Sequence, residues 1–184
     1  MNDENGIYER YLNGDEAALY ELVDTYKTGL VFYINSIVSD IVLAEDIMLD
    51  TFAKLMIKKP RFLGKSSFKT WLYAIGRNLA IDTIKKRKTV VPLSEAENYI
   101  SGEVGLEEGY LADETRLEVR QAVKKLKSEH SQALWLVYFE GFSNSEAARI
   151  MKKTTHQFDS LLYRAKAALK REIERGGSCY DEYK

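Results

Sequence analysis

The chain has 184 residues, and its two prolines and eleven glycines are few, which favours helices throughout. The one cysteine excludes an internal disulfide framework and argues against a cysteine-rich metal site. The net charge of −1 hides an uneven distribution. Two blocks are basic: residues 58–88 have ten Lys/Arg and one acid, and residues 149–175 have eight Lys/Arg and three acids. Between them, residues 93–118 are acidic, with eight Asp/Glu and one cation. This distribution suits a nucleic-acid partner better than the total charge does.

No apolar run approaches the roughly 20 residues of a membrane-spanning helix. The first five residues are polar and acidic and do not resemble a signal peptide. We therefore expect no membrane insertion and a reducing, cytoplasmic setting.

Two amphipathic helices are predicted before residue 60. The first follows a potential cap at Asp15, and its apolar side chains recur at helical spacing as far as Ile37. The second follows Asp40 and ends near Lys58, because the proline at position 60 breaks the pattern.

Three carboxylates lie largely on one side of the second helix: Glu45, Asp46 and Asp50. Clustered carboxylates can bind a metal or transfer protons, but neither His130 nor His156 falls at a ligand spacing with them. The sequence also has no phosphate loop, nucleophile elbow or Cys/His cluster, so we expect no metal, no cofactor and no enzyme site. The acidic side is either a protein-docking face or a solvated face.

The most informative segment is a long helix predicted over residues 68–88, which Ser66 or Ser67 can cap. One side is apolar and is expected in the core: Phe68, Leu72, Ile75 and Leu79. A more polar stripe adjoins it: Trp71, Asn78, Asp82 and Lys85. The tryptophan can stack on an unpaired base while its neighbours hold the backbone. Alternatively, it is a half-buried core residue, and the four cations that end the segment form a solvated helix end suited to the macrodipole.

The second half of the chain begins with an acidic, glycine-containing stretch of weak periodicity, residues 91–112, which we expect to be a flexible linker. Further helices are predicted over residues 117–126, 128–140, 143–151 and 155–174, with Ser143 and Glu146 as a capping box. The chain is therefore predicted to be all-α, with two small helical domains, residues 1–90 and 113–184, the second a four-helix domain with a helix-turn-helix.

The last two helices have the short turn of a helix-turn-helix, in which the start of the second helix enters the major groove. Its side chains can read base edges and hold phosphates: Thr154, Thr155, His156, Gln157, Ser160, Arg164 and Lys166. A plain helical hairpin with solvated polar residues fits the same pattern. Asp159 is unexpected on such a surface; it can accept a hydrogen bond from cytosine, or pair with Lys152 or Lys153.

In this order, the segments resemble the extracytoplasmic-function branch of bacterial sigma factors. Residues 44–55 are similar to the family's polymerase-clamp docking segment, and residues 68–88 to its promoter-melting and minus-ten segment. Residues 138–148 and 162–169 are similar to its minus-thirty-five helix-turn-helix. The resemblance covers nearly the whole chain.

The resemblance implies a factor that binds core RNA polymerase, directs it to promoter DNA and helps to open the duplex. It places Glu45, Asp46 and Asp50 against the clamp. It implies a pocket for a flipped minus-ten base: Lys65, Ser66, Ser67, Phe68 and Trp71. It assigns contacts with the strand and its phosphates to a further set: Arg77, Asn78, Lys85, Lys86 and Arg87. An anti-sigma factor is implied as another partner.

Two other interpretations stay open at this point. A stand-alone helix-turn-helix regulator would bind duplex DNA without polymerase, but it has little need of the long basic and aromatic helix. A helical adaptor that binds a protein through its acidic side would leave both basic blocks unexplained. From the charge blocks we also expect the isolated chain to be compact, with the acidic linker against a basic face.

Overall fold

Every regular element in the computed structural model is a helix within the residues it describes, which are 4–60, 62, 64, 66–90 and 114–175. In chain order the helices are α1 (Glu4–Leu12), α2 (Glu16–Val38), α3 (Ile41–Lys58), α4 (Phe68–Val90), α5 (Glu114–Lys124), α6 (Ser128–Leu134), α7 (Asn144–Ile150) and α8 (Thr155–Arg175). Trp135–Phe139 continue α6 as a π-helical turn. The prediction of an all-α chain with two helical regions is confirmed: an N-terminal region, α1–α4, and a C-terminal region, α5–α8. The predicted linker, residues 91–112, lies outside the described residues.

The predicted helix starts have different local causes. Asp40 caps α3, because its Oδ1 accepts a hydrogen bond from the Leu43 amide at 3.1 Å. Asp15 occupies the N-cap position of α2 but makes no side-chain cap bond, since its carboxylate is held by the Arg10 guanidinium at 2.8 Å. The start of α2 was therefore predictable from the sequence, whereas the ion pair between Asp15 and Arg10 was not.

Helix α1 is not predicted by the sequence pattern, although it contributes to the core. Tyr8 is fully buried and Tyr11 nearly so. The Tyr8 hydroxyl donates to the Pro60 carbonyl at 2.8 Å, which joins α1 to the segment after α3. Burial raises the pKa of Tyr8 to about 12, so its hydroxyl remains a donor at neutral pH.

Helix α2 lies at the centre of the N-terminal region and packs against α1, α3 and α4. Its long side chains Leu30 and Ile34 are fully buried. Helix α4 approaches them at Gly76, where a Cβ would lie 3.0 Å from Leu30 Cδ1 and 3.4 Å from Ile34 Cδ1. A glycine at this position thus allows the predicted DNA-binding helix to lie against α2.

The C-terminal region contains the predicted helix-turn-helix, formed by α7, a turn and α8. The capping box of Ser143 and Glu146 starts α7, and Lys152 takes a left-handed φ of 54° in the turn. The buried side of α8 packs on α6 and α7: Phe158, Leu161, Leu162 and Ala165. This packing leaves the opposite side of α8 exposed.

The two regions pack against each other, α4 against α7 and α2 against α6. The Tyr73 and Phe142 rings meet at 5.1 Å, and the Phe32 and Trp135 rings lie 5.7 Å apart. Buried residues of both regions consequently form one apolar cluster. This placement agrees with the expected compact arrangement; the expected position of the acidic linker concerns residues outside the described ones.

Candidate nucleic-acid interface

An aromatic cluster surrounds the start of α4. The Phe68 ring is fully buried and packs against Tyr8 at 5.1 Å, Tyr26 at 5.9 Å and Trp71 at 5.8 Å. Trp71 is half-buried, and its ring also lies 5.5 Å from Phe62. Of the two rings expected to stack on a base, Trp71 keeps exposed surface, whereas Phe68 supports the ring of Trp71 from the core.

A residue of the loop before α4 caps the start of the helix. Ser67 Oγ accepts a hydrogen bond from the Thr70 amide at 3.2 Å and lies 2.8 Å from Thr70 Oγ1, so Ser67 supplies the cap that the sequence predicted for Ser66 or Ser67. Ser66 is half-buried, and Lys65 lies outside the described residues.

A charge-assisted network joins α4 to the C-terminal region. The Tyr73 hydroxyl donates to Glu140 Oε2 at 2.5 Å. Lys69 Nζ donates to the Glu140 carbonyl at 2.7 Å and lies 3.3 Å from its carboxylate, and it sits 4.8 Å from the centre of the Phe142 ring. Burial, reinforced by the Glu140 carboxylate, raises the pKa of Tyr73 well above its ordinary value. The hydroxyl is therefore a permanent donor to Glu140.

Arg77 belongs to the same contact between regions. It is 8% exposed, and its Nε donates to Gln132 Oε1 at 3.1 Å. Gln132 Nε2 in turn donates to Ser128 Oγ at 3.0 Å, and Ser128 donates to the Ser36 carbonyl at 3.1 Å. Arg77, expected to hold DNA, thus lies within a polar chain that links α4, α6 and α2.

Helix α4 consequently has two sides. One side faces the C-terminal region: Lys69, Tyr73 and Arg77. The helical spacing places the predicted polar stripe on the opposite side: Trp71, Asn78, Asp82 and Lys85. Asp82 and Lys85 are exposed, and Asn78 is half-buried. The structure therefore places Trp71, Asn78 and Lys85 on one side of α4, Arg77 on the other side and Phe68 in the core.

The end of α4 carries exposed cations. Lys85, Lys86 and Arg87 are all exposed. Arg87 Nη1 lies 3.6 Å from Asp40 Oδ2 at the start of α3, an ion pair whose Arg87 side chain is 56% exposed. Such an exposed pair contributes little stability, so Arg87 can exchange Asp40 for a phosphate at small cost.

The acidic side of α3 also carries exposed apolar side chains. Val42 and Leu49 are each 59% exposed and Met56 is 49% exposed, and their seven-residue spacing puts them on one face. The three acids lie on both sides of this stripe, with Glu45 half-buried and the other two exposed: Glu45, Asp46 and Asp50. A purely solvated face has no need of three exposed apolar side chains, so the stripe favours the docking interpretation.

The start of α8 holds the predicted minus-thirty-five residues. Thr154 and Gln157 cap the helix reciprocally, since the Thr154 amide donates to Gln157 Oε1 at 3.0 Å and the Gln157 amide donates to Thr154 Oγ1 at 3.2 Å. Ser160 and Arg164 lie on the exposed side, where Arg164 Nε donates to the Ser160 carbonyl at 3.2 Å. Thr155 is exposed as well.

Two aromatic residues extend this surface beyond the predicted set. Tyr163 is 77% exposed and shares a shallow recess with His156, Ser160 and Arg164. Lys166 is exposed and lies with Nζ 5.3 Å from the centre of the Tyr138 ring. The signal for Tyr163 was present in the sequence: it stands opposite the apolar residues of α8.

Asp159 does not pair with either lysine of the turn. Its Oδ1 accepts a hydrogen bond from Asn144 Nδ2 at 2.7 Å, whereas Lys153 pairs with Glu129 at 3.2 Å. In the part of the chain that the structure describes, no ion pair involves Asp159 or Lys152. The alternative of a lysine pair is therefore wrong, and Asp159 is instead fixed by an amide of α7.

Neither a metal centre nor a membrane span can be assigned within the described ranges. No three His, Cys, Asp or Glu side chains there converge on one point. No helix in those ranges is long and apolar enough to cross a bilayer.

Comparisons with known proteins agree with this geometry. Residues 22–90 match the family described as Sigma-70 region 2, and residues 123–175 match the sigma-like domain of the response regulator PhyR. The chain is 29% identical to the RNA polymerase sigma-H factor of Pseudomonas aeruginosa, over 91% of this chain and 92% of that protein. It is 28% identical to the ECF RNA polymerase sigma factor SigM of Bacillus subtilis, over 85% of this chain and 95% of that protein.

The fold is also similar to that of solved structures. The sigma factor RpoE of Bartonella quintana, in complex with the anti-sigma factor NepR, superposes with a TM-score of 0.72 at 24% identity, over 89% of this chain and 98% of that chain. CnrH, in complex with the cytosolic domain of CnrY, superposes with a TM-score of 0.67 at 19% identity, over 94% of this chain and 97% of that chain.

Proposed function

This chain belongs to the extracytoplasmic-function type of RNA polymerase sigma factors, which direct RNA polymerase to promoters, and we propose that it divides this task between its two regions. Residues 1–90 would bind the polymerase and the minus-ten element, residues 91–112 would connect the regions, and residues 113–184 would bind the minus-thirty-five element. Like other sigma factors, the chain is an initiation factor and not an enzyme. Its place of action would be the cytoplasm, where polymerase and chromosome are found.

The observation that carries this division is the two-sided character of α4. The side with Trp71 and Asn78 lies opposite Lys69, Tyr73 and Arg77, which contact the C-terminal region. Trp71 is held by a buried aromatic cluster. A rigid, partly exposed ring suits stacking on a base that has left the duplex. Unstacking that base costs a few kcal/mol, and stacking on an aromatic returns about 1–3 kcal/mol. The exposed cations Lys86 and Arg87 would hold the neighbouring phosphates.

Core polymerase would dock on the apolar stripe of α3. Val42, Leu49 and Met56 supply the apolar centre of such an interface, and the surrounding carboxylates supply a charged rim that orients the partner. Polymerase would thus bind α3, whereas the promoter strand would bind α4.

The packing of the two regions would keep the isolated factor inactive in part. Arg77 and Lys69 are engaged by the C-terminal region, so neither can reach a phosphate until the regions move apart. Polymerase and promoter would favour the open arrangement by binding it more tightly. RpoE is known in complex with the anti-sigma factor NepR, and CnrH in complex with the cytosolic domain of CnrY. We propose that an anti-sigma factor also binds this chain.

Reconstitution with core RNA polymerase on a promoter library tests the proposal. The expected result is a stable complex with core polymerase and transcripts that begin at a defined set of sites. A stand-alone regulator would instead bind duplex DNA equally well without polymerase, and neither core binding nor start-site selection would be seen.

A further inference from the structure

An exposed carboxylate occupies the surface of α8 that is expected to face DNA. Asp159 is the fifth residue of the helix and borders the recess formed by His156, Ser160 and Tyr163. Its side chain is exposed, whereas Phe158 next to it is fully buried. A carboxylate repels phosphates, so its presence at this position lowers general affinity for DNA.

The carboxylate is held in one orientation. Asn144, the first residue of α7, donates from Nδ2 to Asp159 Oδ1 at 2.7 Å. A carboxylate only accepts hydrogen bonds, so the amide must present its NH₂ group to it. Oδ2 remains as an acceptor, and the charge is not neutralised by an ion pair within the described ranges.

Two neighbouring cations have other partners. Lys153 pairs with Glu129, and Arg164 Nε donates to the main chain of its own helix. The Asn144 contact therefore orients the Asp159 carboxylate without neutralising its charge.

The hydrogen-bonding groups on the base edges determine which base a carboxylate oxygen can bind. In the major groove cytosine presents an amino donor, guanine presents two acceptors, and thymine presents an acceptor and a methyl group. Adenine presents its amino group beside an acceptor. An acceptor-only group is thus matched by cytosine and repelled by guanine. On the premise that α8 reads promoter DNA as set out above, we propose that Asp159, positioned by Asn144, selects a cytosine in the minus-thirty-five element.

The test uses holoenzyme made with the full chain and a promoter pool in which only the minus-thirty-five element is randomised. The wild type is expected to enrich cytosine at one position. Asp159→Ala lowers that enrichment about fivefold to tenfold, the effect of losing one base contact. The same variant binds DNA without the cytosine more tightly, because a repulsive charge is gone.

Two further variants separate base reading from simple repulsion. Asp159→Asn is expected to move the preference from cytosine towards adenine, because an amide can both accept from N6 and donate to N7. Asn144→Ala keeps the charge but frees its rotation, so cytosine enrichment falls by less than in Asp159→Ala. Asp24→Asn, which removes an exposed carboxylate from α2, serves as the charge-matched control and leaves the base frequencies unchanged.

The outcomes distinguish this proposal from the promoter function itself. If the wild-type holoenzyme selects start sites but Asp159→Ala retains the same base frequencies, cytosine reading is overturned and the sigma-factor function stands. If Asp159→Ala binds all sequences more tightly by the same factor, cytosine reading is also overturned, because charge repulsion alone then explains the effect of Asp159. An absence of start-site selection by the wild type would overturn the proposed function first.

Discussion

Replacing Glu140 with alanine should release the two regions from each other. The carboxylate accepts the Tyr73 hydroxyl at 2.5 Å and lies 3.3 Å from Lys69 Nζ, and both bonds cross between the regions. The Lys69 bond to the Glu140 carbonyl survives the substitution, because it involves the main chain. The change therefore removes a defined part of the contact.

The magnitude follows from the burial of these groups. A hydrogen bond to a charged acceptor contributes about 1.5–3 kcal/mol, and its loss leaves the buried Tyr73 hydroxyl without a partner. The Lys69 pair, with side chains 25% and 11% exposed, adds at most about 1 kcal/mol after solvent screening. Together these give about 2–4 kcal/mol, which lowers the ratio of closed to open molecules by roughly 30-fold to 1000-fold.

Crosslinking between the regions measures this ratio. Ser36 and Ser128 lie on opposite sides of the contact, with Ser128 Oγ 3.1 Å from the Ser36 carbonyl. In a chain with Cys179→Ser, a cysteine pair at these two positions should react rapidly with a short bifunctional reagent, and Glu140→Ala should slow the reaction. Small-angle scattering should show a larger radius of gyration for the same variant.

The matched control is Glu129→Gln, which breaks an exposed pair with Lys153 inside the C-terminal region. It should leave the crosslinking rate unchanged. Equal rates and equal radii for Glu140→Ala and the wild type would refute the reasoning, because the Tyr73 bond could then not hold the regions together.

Four further predictions concern single surfaces. Trp71→Ala should slow open-complex formation on duplex promoters about fivefold to 150-fold, in line with about 1–3 kcal/mol of stacking. It should have less effect on a pre-melted bubble template, and equal losses on both templates would contradict base stacking. Arg164→Ala should weaken minus-thirty-five binding and reduce its salt slope by about one, while affinity for core polymerase is unchanged. Leu49→Ala should weaken binding to core polymerase by about 1 kcal/mol or more, whereas Tyr20→Ala, which truncates a still more exposed side chain on α2, should not. Hydrogen bonding from Ser143 lowers the pKa of Glu146, so the Glu146 carboxylate stabilises the fold above its usual pKa of 4.5 and loses this contribution as the pH falls below that value. The melting temperatures of wild type and Glu146→Gln should therefore converge in acid. A difference in melting temperature that stays constant with pH would argue against this linkage.

Local elements of this fold could be read from the sequence because their causes are local. The caps at Asp40 and Ser143 and the apolar periodicity of α2, α3 and α8 lie within a few residues of the helices that they specify. The break after α3 also has a local cause, the proline at position 60. Helix α1 escaped prediction, whereas the shorter α7 was predicted from its capping box. Helix α1 is joined to the rest of the fold by contacts with distant residues, such as the bond from the Tyr8 hydroxyl to the Pro60 carbonyl.

The candidate site was predictable only in part, because periodicity shows which residues share a face and not what covers that face. The stripe of Trp71 and Asn78 was identified from spacing alone. Arg77 was assigned to the same function, yet the structure places it against Gln132, 55 residues away in the chain. The partner of Asp159, Asn144, is likewise reached only through the turn between two helices.

The sequence by itself determined that this chain is helical, that it carries two basic surfaces, and that its motifs follow the order found in sigma factors. Those properties depend on side-chain spacing and on the chemistry of short segments. The tertiary structure alone decided which side of α4 stays open and which is closed by Glu140 and Gln132. The physical reason is that a buried hydrogen bond between distant segments exists only when packing brings its donor and acceptor together, and no local pattern encodes that meeting.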